Sequence, residues 1–188
     1  MQALTITSTP PSPWITRFAH QAQAGQSALD LACGAGRHTR WLAQRGLRVL
    51  ALDQNQTALE PLAGISETLC ADLESRDWPL GTQQFDWIVV SNYLWRPLFP
   101  KILAALAPGG WLLYETFASG QETIGRPTRA NFLLQPGELL NICANLRVIA
   151  FEDGFDESGA ARFVQRIAAV REKNPDPSTF IKRYVLGG

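Results

Sequence analysis

Residues 28–55 read ALDLACGAGRHTRWLAQRGLRVLALDQN, and this stretch decides the fold. An apolar run leads into a glycine-bearing turn at 33–36, and a helical stretch follows at 37–44. A second apolar run at 48–52 ends in Asp53. The order of strand, glycine-rich turn, helix, strand and acid predicts the first half of a nucleotide-binding β-α-β unit.

The residues of this unit distinguish between two classes of cofactor. Gly34 and Gly36 can take positive φ and carry no Cβ, so a ligand can approach the backbone closely. Dinucleotide enzymes have a third glycine where this chain has Thr39, and Asp30 would repel a pyrophosphate. Asp30 could instead accept a hydrogen bond from an ammonium group, while Asp53 lies where ribose hydroxyls can donate to it. The pattern suits S-adenosylmethionine (SAM), which has no phosphate, and it resembles the class I SAM-dependent methyltransferases.

Length and composition predict one globular domain over residues 1–188, with a mobile arm at 1–12 and no role assigned to 173–188. Hydrophobic residues make up 46% of the chain and charged residues 18%, which is typical of a folded protein. Seventeen basic and seventeen acidic residues leave no formal net charge. This balance argues against a nucleic-acid partner that is held mainly through phosphate contacts.

The sequence gives no indication of export, membrane insertion or metal binding. It has no basic and apolar leader, and no stretch approaches the ~20 apolar residues of a membrane span. Its three cysteines have neither disulfide nor metal spacing. We therefore expect a cytoplasmic protein that acts on a small molecule, without a metal, a nucleic acid or a membrane as partner. Its oligomeric state is left open.

Periodicity beyond the first unit predicts further strands and helices. The predicted strands lie at 67–70, 85–91, 111–116, 147–152 and 161–171, and the predicted helices lie at 14–20, 56–62 and 97–107, with another that begins at 136. The last two strands form a hairpin. The first helix could lie over the cofactor cleft or pack at the sheet edge. The family resemblance implies an α/β Rossmann-like fold with a seven-stranded, mostly parallel sheet, an antiparallel last strand and helices on both faces.

The same resemblance implies a set of cofactor-binding residues. Asp72 follows the third strand, where the methyltransferases usually have an adenine-binding acid, although it could instead cap a helix. The fourth strand ends in a motif that the family places beneath the methionine part of SAM. The expected cofactor-binding residues are Asp30, Ala32, Cys33, Gly34, Ala35, Gly36, Asp53, Gln54, Asp72, Leu73, Ser91, Asn92 and Tyr93.

Within the superfamily the chain is most similar to the small tellurite-resistance type methyltransferases, over residues 28–170. The likeness rests on DLACGAGR at 30–37, ADL at 71–73, PGG at 108–110 and FLLQPGEL at 132–139. The chain departs from that group at 91–95 and in the arginines after the fifth strand. The resemblance therefore implies the architecture and the cofactor and leaves the methyl acceptor open.

Candidate residues for chemistry are few. Tyr93 and Glu115 are candidate catalytic residues because both follow or end strands at the ligand edge. The aperiodic stretch 117–135 is interpreted as a substrate lid. Arg96, Arg126 and Arg129 are candidates for an anion-binding fork, or they could be arginines on a solvated loop.

Two further residues are expected to have structural roles, and two alternative functions are less favoured than a methyltransferase. His38 is expected to cap or pack, and Cys33 to be a small residue that the turn tolerates. We expect a methyltransferase for a small, possibly anionic or soft, acceptor. A non-catalytic SAM- or metabolite-binding module remains an alternative. An NAD-linked oxidoreductase is a weaker one, because the third glycine and a Tyr-x-x-x-Lys pair are both missing.

Overall fold

The computed structural model describes residues 9–74, 77–173 and 183–186 and contains all the predicted strands. The predicted arm is therefore described only from Thr9 onward, and most of the predicted tail lies outside the described residues. The strands are β1 (Ser27–Leu31), β2 (Arg48–Asp53), β3 (Glu67–Cys70), β4 (Phe85–Ser91), β5 (Leu106–Phe117), β6 (Arg147–Asp156) and β7 (Arg162–Val170).

The helices that connect these strands are short. The α-helices are α1 (Pro13–Ala19), α2 (Arg37–Gln44), α3 (Gln56–Leu59), α4 (Phe99–Ala104) and α5 (Glu138–Ile142). Single 3₁₀ turns lie at Glu60–Leu62, Arg96–Leu98, Gln121–Thr123 and Ala130–Phe132. No helix among the described residues has the length and apolar character needed to cross a membrane.

The strands form one sheet in the order β3-β2-β1-β4-β5-β7-β6. Strands β1 to β5 pair in parallel, whereas β7 runs antiparallel to both β5 and β6. The predicted mostly parallel sheet with a reversed last strand is therefore confirmed. Because β7 is reversed, the start of β7 lies beside the end of β5.

Two hydrophobic clusters cover the two faces of the sheet. In β4, Ile88 and Val90 face a cluster that includes α4 and α5, while Trp87 and Val89 face a cluster that includes α1 and α2. An apolar strand that is buried on both faces is typical of a parallel sheet with helices on either side. The predicted layers of helices on both faces are confirmed.

Helix α1 packs on one face of the sheet. The sequence predicts a position either over the cofactor cleft or at the sheet edge, and neither describes this packing. Its buried side chains include Trp14 and Phe18, and Phe18 stacks on Trp111 of β5. Trp111 in turn stacks on Trp87, with ring centroids 5.3 Å apart. The residues just before α1, from Thr9 to Ser12, line cavities at the ligand edge. Helix α1 itself reaches these cavities only with its first two residues, Pro13 and Trp14.

The helix predicted at 97–107 ends early, at Ala104, because β5 already begins at Leu106. The Pro-Gly-Gly sequence lies inside β5 and forms an irregularity in its pairing with β4. At Gly110 a Cβ would lie 2.8 Å from the carbonyl oxygen of Ala107 and 2.9 Å from that of Phe85. A glycine is needed there because two backbone segments approach each other closely.

Candidate functional site

The candidate site lies at the carboxyl ends of β1 and β4, where the strand order reverses. Chain order runs outward from β1 through β2 to β3 on one side and from β4 to β5 on the other. Open α/β sheets bind ligands in the crevice at this point. The residues that follow the two strands, Ala32 and Asn92, both have positive φ, 53° and 56° respectively. Non-glycine residues in this conformation occur often at functional sites.

The glycine turn gives its two glycines different roles. Gly34 has φ +54°, and a Cβ built on it would meet nothing within 4 Å, so its surface is open to a ligand. Gly36 has φ +74°, and its Cβ would lie 2.5 Å from Leu62 Cδ2. Gly36 therefore allows the buried Leu62 to pack beneath the turn, and Gly34 keeps the upper side of the turn free.

Asp53 joins the turn to the end of β2. Its Oδ2 accepts a hydrogen bond of 2.8 Å from the Gly34 amide, and its Oδ1 accepts one of 2.9 Å from the Asn55 amide. Each carboxylate oxygen has a second lone pair, so the carboxylate can still accept bonds from a ligand. Asp53 thus holds the turn in place and also lines a cavity.

Asp30 is almost fully buried, with 1% of its surface exposed, and it is bound to Thr39 at the start of α2. Asp30 Oδ2 accepts from the Thr39 amide at 2.8 Å and from the Thr39 hydroxyl at 2.6 Å. Burial raises the pKa of Asp30 to about 6, although the bonds from Thr39 oppose this shift. The position at which a dinucleotide enzyme has its third glycine is thus filled by a buried, hydrogen-bonded threonine.

A cavity of about 520 Å³, the glycine-turn pocket, lies above the turn. Its lining includes Asp30, Ala32, Cys33, Gly34, Ala35, Arg37, His38, Arg40, Ser91 and Asn92. The thiol of Cys33 lies in this wall, and burial together with the Asp30 carboxylate raises its pKa. The thiol therefore stays protonated, as expected of a small residue that the turn tolerates.

A second cavity of about 210 Å³, the acidic pocket, adjoins the first through Ala32 and Asn92. It is lined by Ala32, Asp53, Gln54, Ala71, Asp72, Leu73, Glu74, Asn92 and Tyr93. The two cavities together contain every predicted cofactor-binding residue except Gly36. The sequence therefore identified one continuous cleft, and the binding of a cofactor there stays a prediction.

Asp72 stabilises a turn and also lines a cavity, while its expected role in adenine binding stays a prediction. Its Oδ1 accepts a hydrogen bond of 2.9 Å from the Glu74 amide, which stabilises the turn that follows β3. Asp72 also lines the acidic pocket. The expected helix cap is wrong in detail, because residues 73 and 74 form a turn.

Tyr93 lies in the acidic pocket, away from Glu115, the other candidate catalytic residue. Its hydroxyl is buried and has no hydrogen bond of standard geometry among the described residues, although the Glu74 carboxylate lies close enough to interact with it. Burial, with the carboxylates of Glu74 and Asp72, raises the pKa of the phenol. Tyr93 can therefore donate a hydrogen bond to a ligand but is a poor base.

A third cavity of about 600 Å³, the arginine pocket, lies beside the glycine-turn pocket, and both are lined by Thr9 and Arg37. Its charged lining residues are Arg37, Arg126, Arg162, Arg166, Glu115 and Asp156. Its apolar lining residues are Pro10, Pro11, Pro13, Trp14, Phe117, Ala160 and Ala161. The sequence interpretation missed Arg37, Arg162 and Arg166.

Glu115 is the centre of this charged group and is 1% exposed. Its Oε1 accepts from the Ser91 hydroxyl at 3.0 Å, and that hydroxyl accepts from Arg37 Nη2 at 2.9 Å. Its Oε2 lies 3.7 Å from Arg162 Nη2 and 3.5 Å from Arg166 Nε. Glu115 and Arg166 are direct partners in the pairing of β5 with β7. The carboxylate thus orients guanidinium groups at the cavity.

The predicted arginine fork does not form. Arg96 makes a bidentate pair with Glu138, at 2.7 and 2.9 Å, and donates to the carbonyl oxygens of Asn131 and Leu133. The bond to Glu138 raises the pKa of Arg96. Arg129 is exposed and lines none of the three cavities. Of the three predicted residues, only Arg126 lines the arginine pocket.

His38 packs and accepts a hydrogen bond, as expected from the sequence. It is buried, and its Nε2 accepts a bond of 3.1 Å from the Ser12 amide. Burial, together with the charge of Arg37, lowers the pKa of His38 to about 3. The neutral ring thus fixes the segment before α1 against α2, next to both larger cavities.

Known proteins resemble this chain both in sequence and in structure. Residues 28–110 match the model of the methyltransferase domain family. A demethylmenaquinone methyltransferase of Clavibacter sepedonicus is 30% identical over 105 residues, which cover 51% of this chain and 43% of that protein. The chain spans less than half the length of the curated relatives it matches.

Two solved structures extend the comparison to most of the chain. TehB from Haemophilus influenzae has a TM-score of 0.74 at 18% identity, covering 89% of this chain and 64% of its own. The 1,6-didemethyltoxoflavin-N1-methyltransferase of Burkholderia thailandensis, solved with S-adenosylhomocysteine, has a TM-score of 0.63 at 19% identity, covering 85% and 76%. At these identities the likeness shows the fold, so the predicted class I fold, similar to that of TehB, is confirmed.

Proposed function

We propose that this chain, which has the class I fold and a methyltransferase-domain match over residues 28–110, is a SAM-dependent methyltransferase. The observation that carries the proposal is that the carboxylates of Asp30, Asp53 and Asp72 line two adjoining cavities, one of which is also lined by the open Gly34. Three carboxylates at three neighbouring strand ends suit a cationic, phosphate-free nucleoside and disfavour a pyrophosphate. The buried Thr39 at the third glycine position supports the same choice.

In this proposal each part of SAM has a partner in the cleft. Asp53 would accept from the ribose hydroxyls and Asp72 from the adenine amino group, while Asp30 would face the ammonium group of the methionine part. The missing Cβ at Gly34 leaves room for the ligand beside the turn. SAM supplies a methyl group on a sulfonium, which is already a good leaving group, so the protein needs mainly to orient the acceptor.

The titratable groups around the cleft favour an acceptor that is anionic or otherwise soft, as the sequence suggested. The ring nitrogen Nε2 of His38 is occupied by the Ser12 amide. Tyr93 and Cys33 hold their protons, since burial raises the pKa of each. Glu115 is surrounded by arginines. We therefore propose a small-molecule acceptor that arrives already deprotonated. Separately, from the composition of the chain, we propose that the protein works in the cytoplasm without a nucleic-acid partner.

The carboxylate of Asp53 provides the first test. In Asp53→Ala the affinity for SAM should fall by roughly 1–3 kcal/mol, the scale of charge-assisted hydrogen bonds. Asp53→Asn keeps an oxygen for the Gly34 amide but removes the charge, so it separates support of the turn from binding of the ribose. Glu67→Ala, an exposed carboxylate on β3 that lines none of the cavities, serves as the matched control. Calorimetry with SAM and with NAD measures all four proteins.

Two results would contradict the proposal. Unchanged SAM affinity in Asp53→Ala would remove the cofactor assignment, and tight binding of NAD by the wild-type protein would favour the oxidoreductase. Transfer of labelled methyl groups from SAM into a metabolite extract separates an enzyme from a binding module. SAM binding without any labelled product would support the module.

A further inference from the structure

We propose that the arginine pocket binds the methyl acceptor, and that the acceptor is an organic anion with an apolar body. This inference rests on the proposed methyltransferase function and adds the place and the chemical class of the acceptor. Five observations carry it: the excess of positive charge, the unused guanidinium donors, two buried polar atoms without hydrogen bonds, the apolar part of the lining and the border with the glycine-turn pocket.

The charged lining is unbalanced. Four arginines and two carboxylates face the cavity, which leaves an excess of two positive charges. The chain as a whole has no formal net charge, so this excess is a local feature. A concave site with a local positive charge attracts anions because its low-dielectric walls concentrate the field.

Two of the arginines have donors to spare. Within the described residues, Arg126 makes no side-chain hydrogen bond or ion pair. Arg162 is held by Glu115 at 3.7 Å and by Asp156 at 3.6 Å, distances too long for hydrogen bonds. A guanidinium offers five N–H donors in a planar fork that matches a carboxylate or a phosphate. Both arginines line the cavity, and these donors have no hydrogen-bond acceptor in the part of the chain that the structure describes.

The buried end of the cluster also shows unused polar atoms. Glu115 Oε2 and Arg166 Nε are buried, lie 3.5 Å apart and have no hydrogen-bond partner among the described residues. Buried polar atoms are hydrogen-bonded in most proteins, so an ion pair that lacks a hydrogen bond beside a cavity supports a role for these two side chains in ligand binding.

Another part of the cavity lining is apolar. Pro10, Pro11, Trp14 and Phe117 line the cavity with rings and methylene groups. The cavity volume of about 600 Å³ is within the range of sites for small organic ligands and far exceeds the space of a single inorganic oxyanion. An acid with an aromatic or aliphatic body would use both parts of the lining, whereas a bare oxyanion would contact only the arginines.

The arginine pocket meets the proposed cofactor site at Arg37. Arg37 lines both cavities, and its hydrogen bond to Ser91 links β4 of the cofactor cleft to Glu115 of the arginine pocket. An acceptor in this pocket would therefore lie next to the cofactor without occupying its cleft.

The test uses three probes with the full-length protein in the absence of SAM: 1-naphthoate, the neutral 1-naphthamide and inorganic phosphate. Calorimetry at low ionic strength should show naphthoate binding about tenfold more tightly than either of the others, because only naphthoate uses both parts of the lining. Arg126→Gln and Arg162→Gln should each weaken naphthoate binding about fivefold or more. Arg129→Gln, three residues from Arg126 on the same exposed segment, should leave it unchanged.

Each other outcome would overturn the inference. Naphthamide binding as tightly as naphthoate would remove the role of charge, and phosphate binding as tightly would remove the apolar body. An equal loss in Arg129→Gln would indicate a general effect of surface charge. SAM affinity, measured on the same variants, should be nearly unchanged. Failure of the wild-type protein to bind SAM would count against the proposed function. If the protein binds SAM but does not prefer naphthoate over naphthamide and phosphate, only the proposal for the arginine pocket is contradicted.

Discussion

Asp30 and His38 are buried beside the glycine turn, and they affect stability in opposite directions as pH changes. The pKa of Asp30 is raised from 3.8 to about 6, so its contribution is present below 3.8 and is lost as pH rises through 6. The pKa of His38 is lowered from 6.5 to about 3, so its contribution is present above 6.5 and is lost as pH falls toward 3. Between pH 4 and 6 the two effects partly cancel in the wild-type protein.

Single variants should separate the two effects. Asp30→Asn keeps an oxygen for Thr39 and removes the buried charge, so its free energy of unfolding relative to wild type should grow by about 1–3 kcal/mol between pH 4 and pH 7. His38→Gln keeps an acceptor for Ser12 and should be less sensitive to acid than the wild type below pH 6.5. Urea unfolding at four pH values measures both. Profiles parallel to that of the wild type would contradict the assignment of these pKa shifts.

The segment between β5 and α5, expected as a structureless lid, is anchored at both ends. Gln121 is buried, donates to the Arg126 carbonyl oxygen at 3.1 Å and accepts from the Phe163 amide at 2.9 Å. At the other end Leu133 and Leu134 are buried, and Arg96 joins this end to Glu138. Only the middle of the segment is exposed, which includes Arg126 at the rim of the arginine pocket.

Arg96→Lys should loosen this segment without affecting the cofactor cleft. Lysine cannot reproduce the bidentate pair with Glu138 together with the two carbonyl contacts, so the free energy of unfolding should fall by about 1–3 kcal/mol. Amide exchange should accelerate at Leu133 and Leu134, while SAM affinity stays constant. Arg129→Lys provides the control on the same segment. Unchanged exchange in Arg96→Lys would show that Gln121 and the buried leucines hold the segment alone.

The sequence could predict the features that depend on neighbouring residues, but not those that depend on contacts between distant elements. The turn, α2 and Asp53 follow from residues close together in the chain, whose conformational preferences already indicate the fold. Arg162 and Arg166 were missed because their role depends on the register between β5 and β7, which brings Arg166 opposite Glu115. The available signal was two arginines four residues apart in a mostly apolar strand, both on one face. Arg96 was misassigned for the same reason, since its partner Glu138 is distant in sequence.

At the scale of the whole molecule, the two proposed sites divide the chain. The cofactor cleft is built largely from residues 30–93, inside the stretch that matches the family model. Most of the arginine pocket comes from residues 9–14 and 115–166, outside that stretch. The part of the chain that matches the methyltransferase family is thus the part proposed to bind the shared cofactor.

SAM should therefore stabilise the entire domain by linkage. At a concentration about 100-fold above the dissociation constant, a ligand that binds only the native state adds about 2.7 kcal/mol. For a chain of 188 residues this corresponds to a rise in melting temperature of roughly 5–10 °C. Differential scanning fluorimetry measures the shift, which should shrink in Asp53→Ala. A shift with NAD and none with SAM would contradict the cofactor assignment.

The reversal of β7 has one more consequence. Had this strand run parallel to β5, Arg162 would lie at the opposite edge of the sheet; instead the short connection at 157–161 and the start of β7 border the arginine pocket. Changing the length of a surface connection costs a folded protein little. Lengthening or trimming this one hairpin tip would thus change the arginine pocket, and with it the proposed choice of acceptor, without altering the residues of the proposed cofactor cleft.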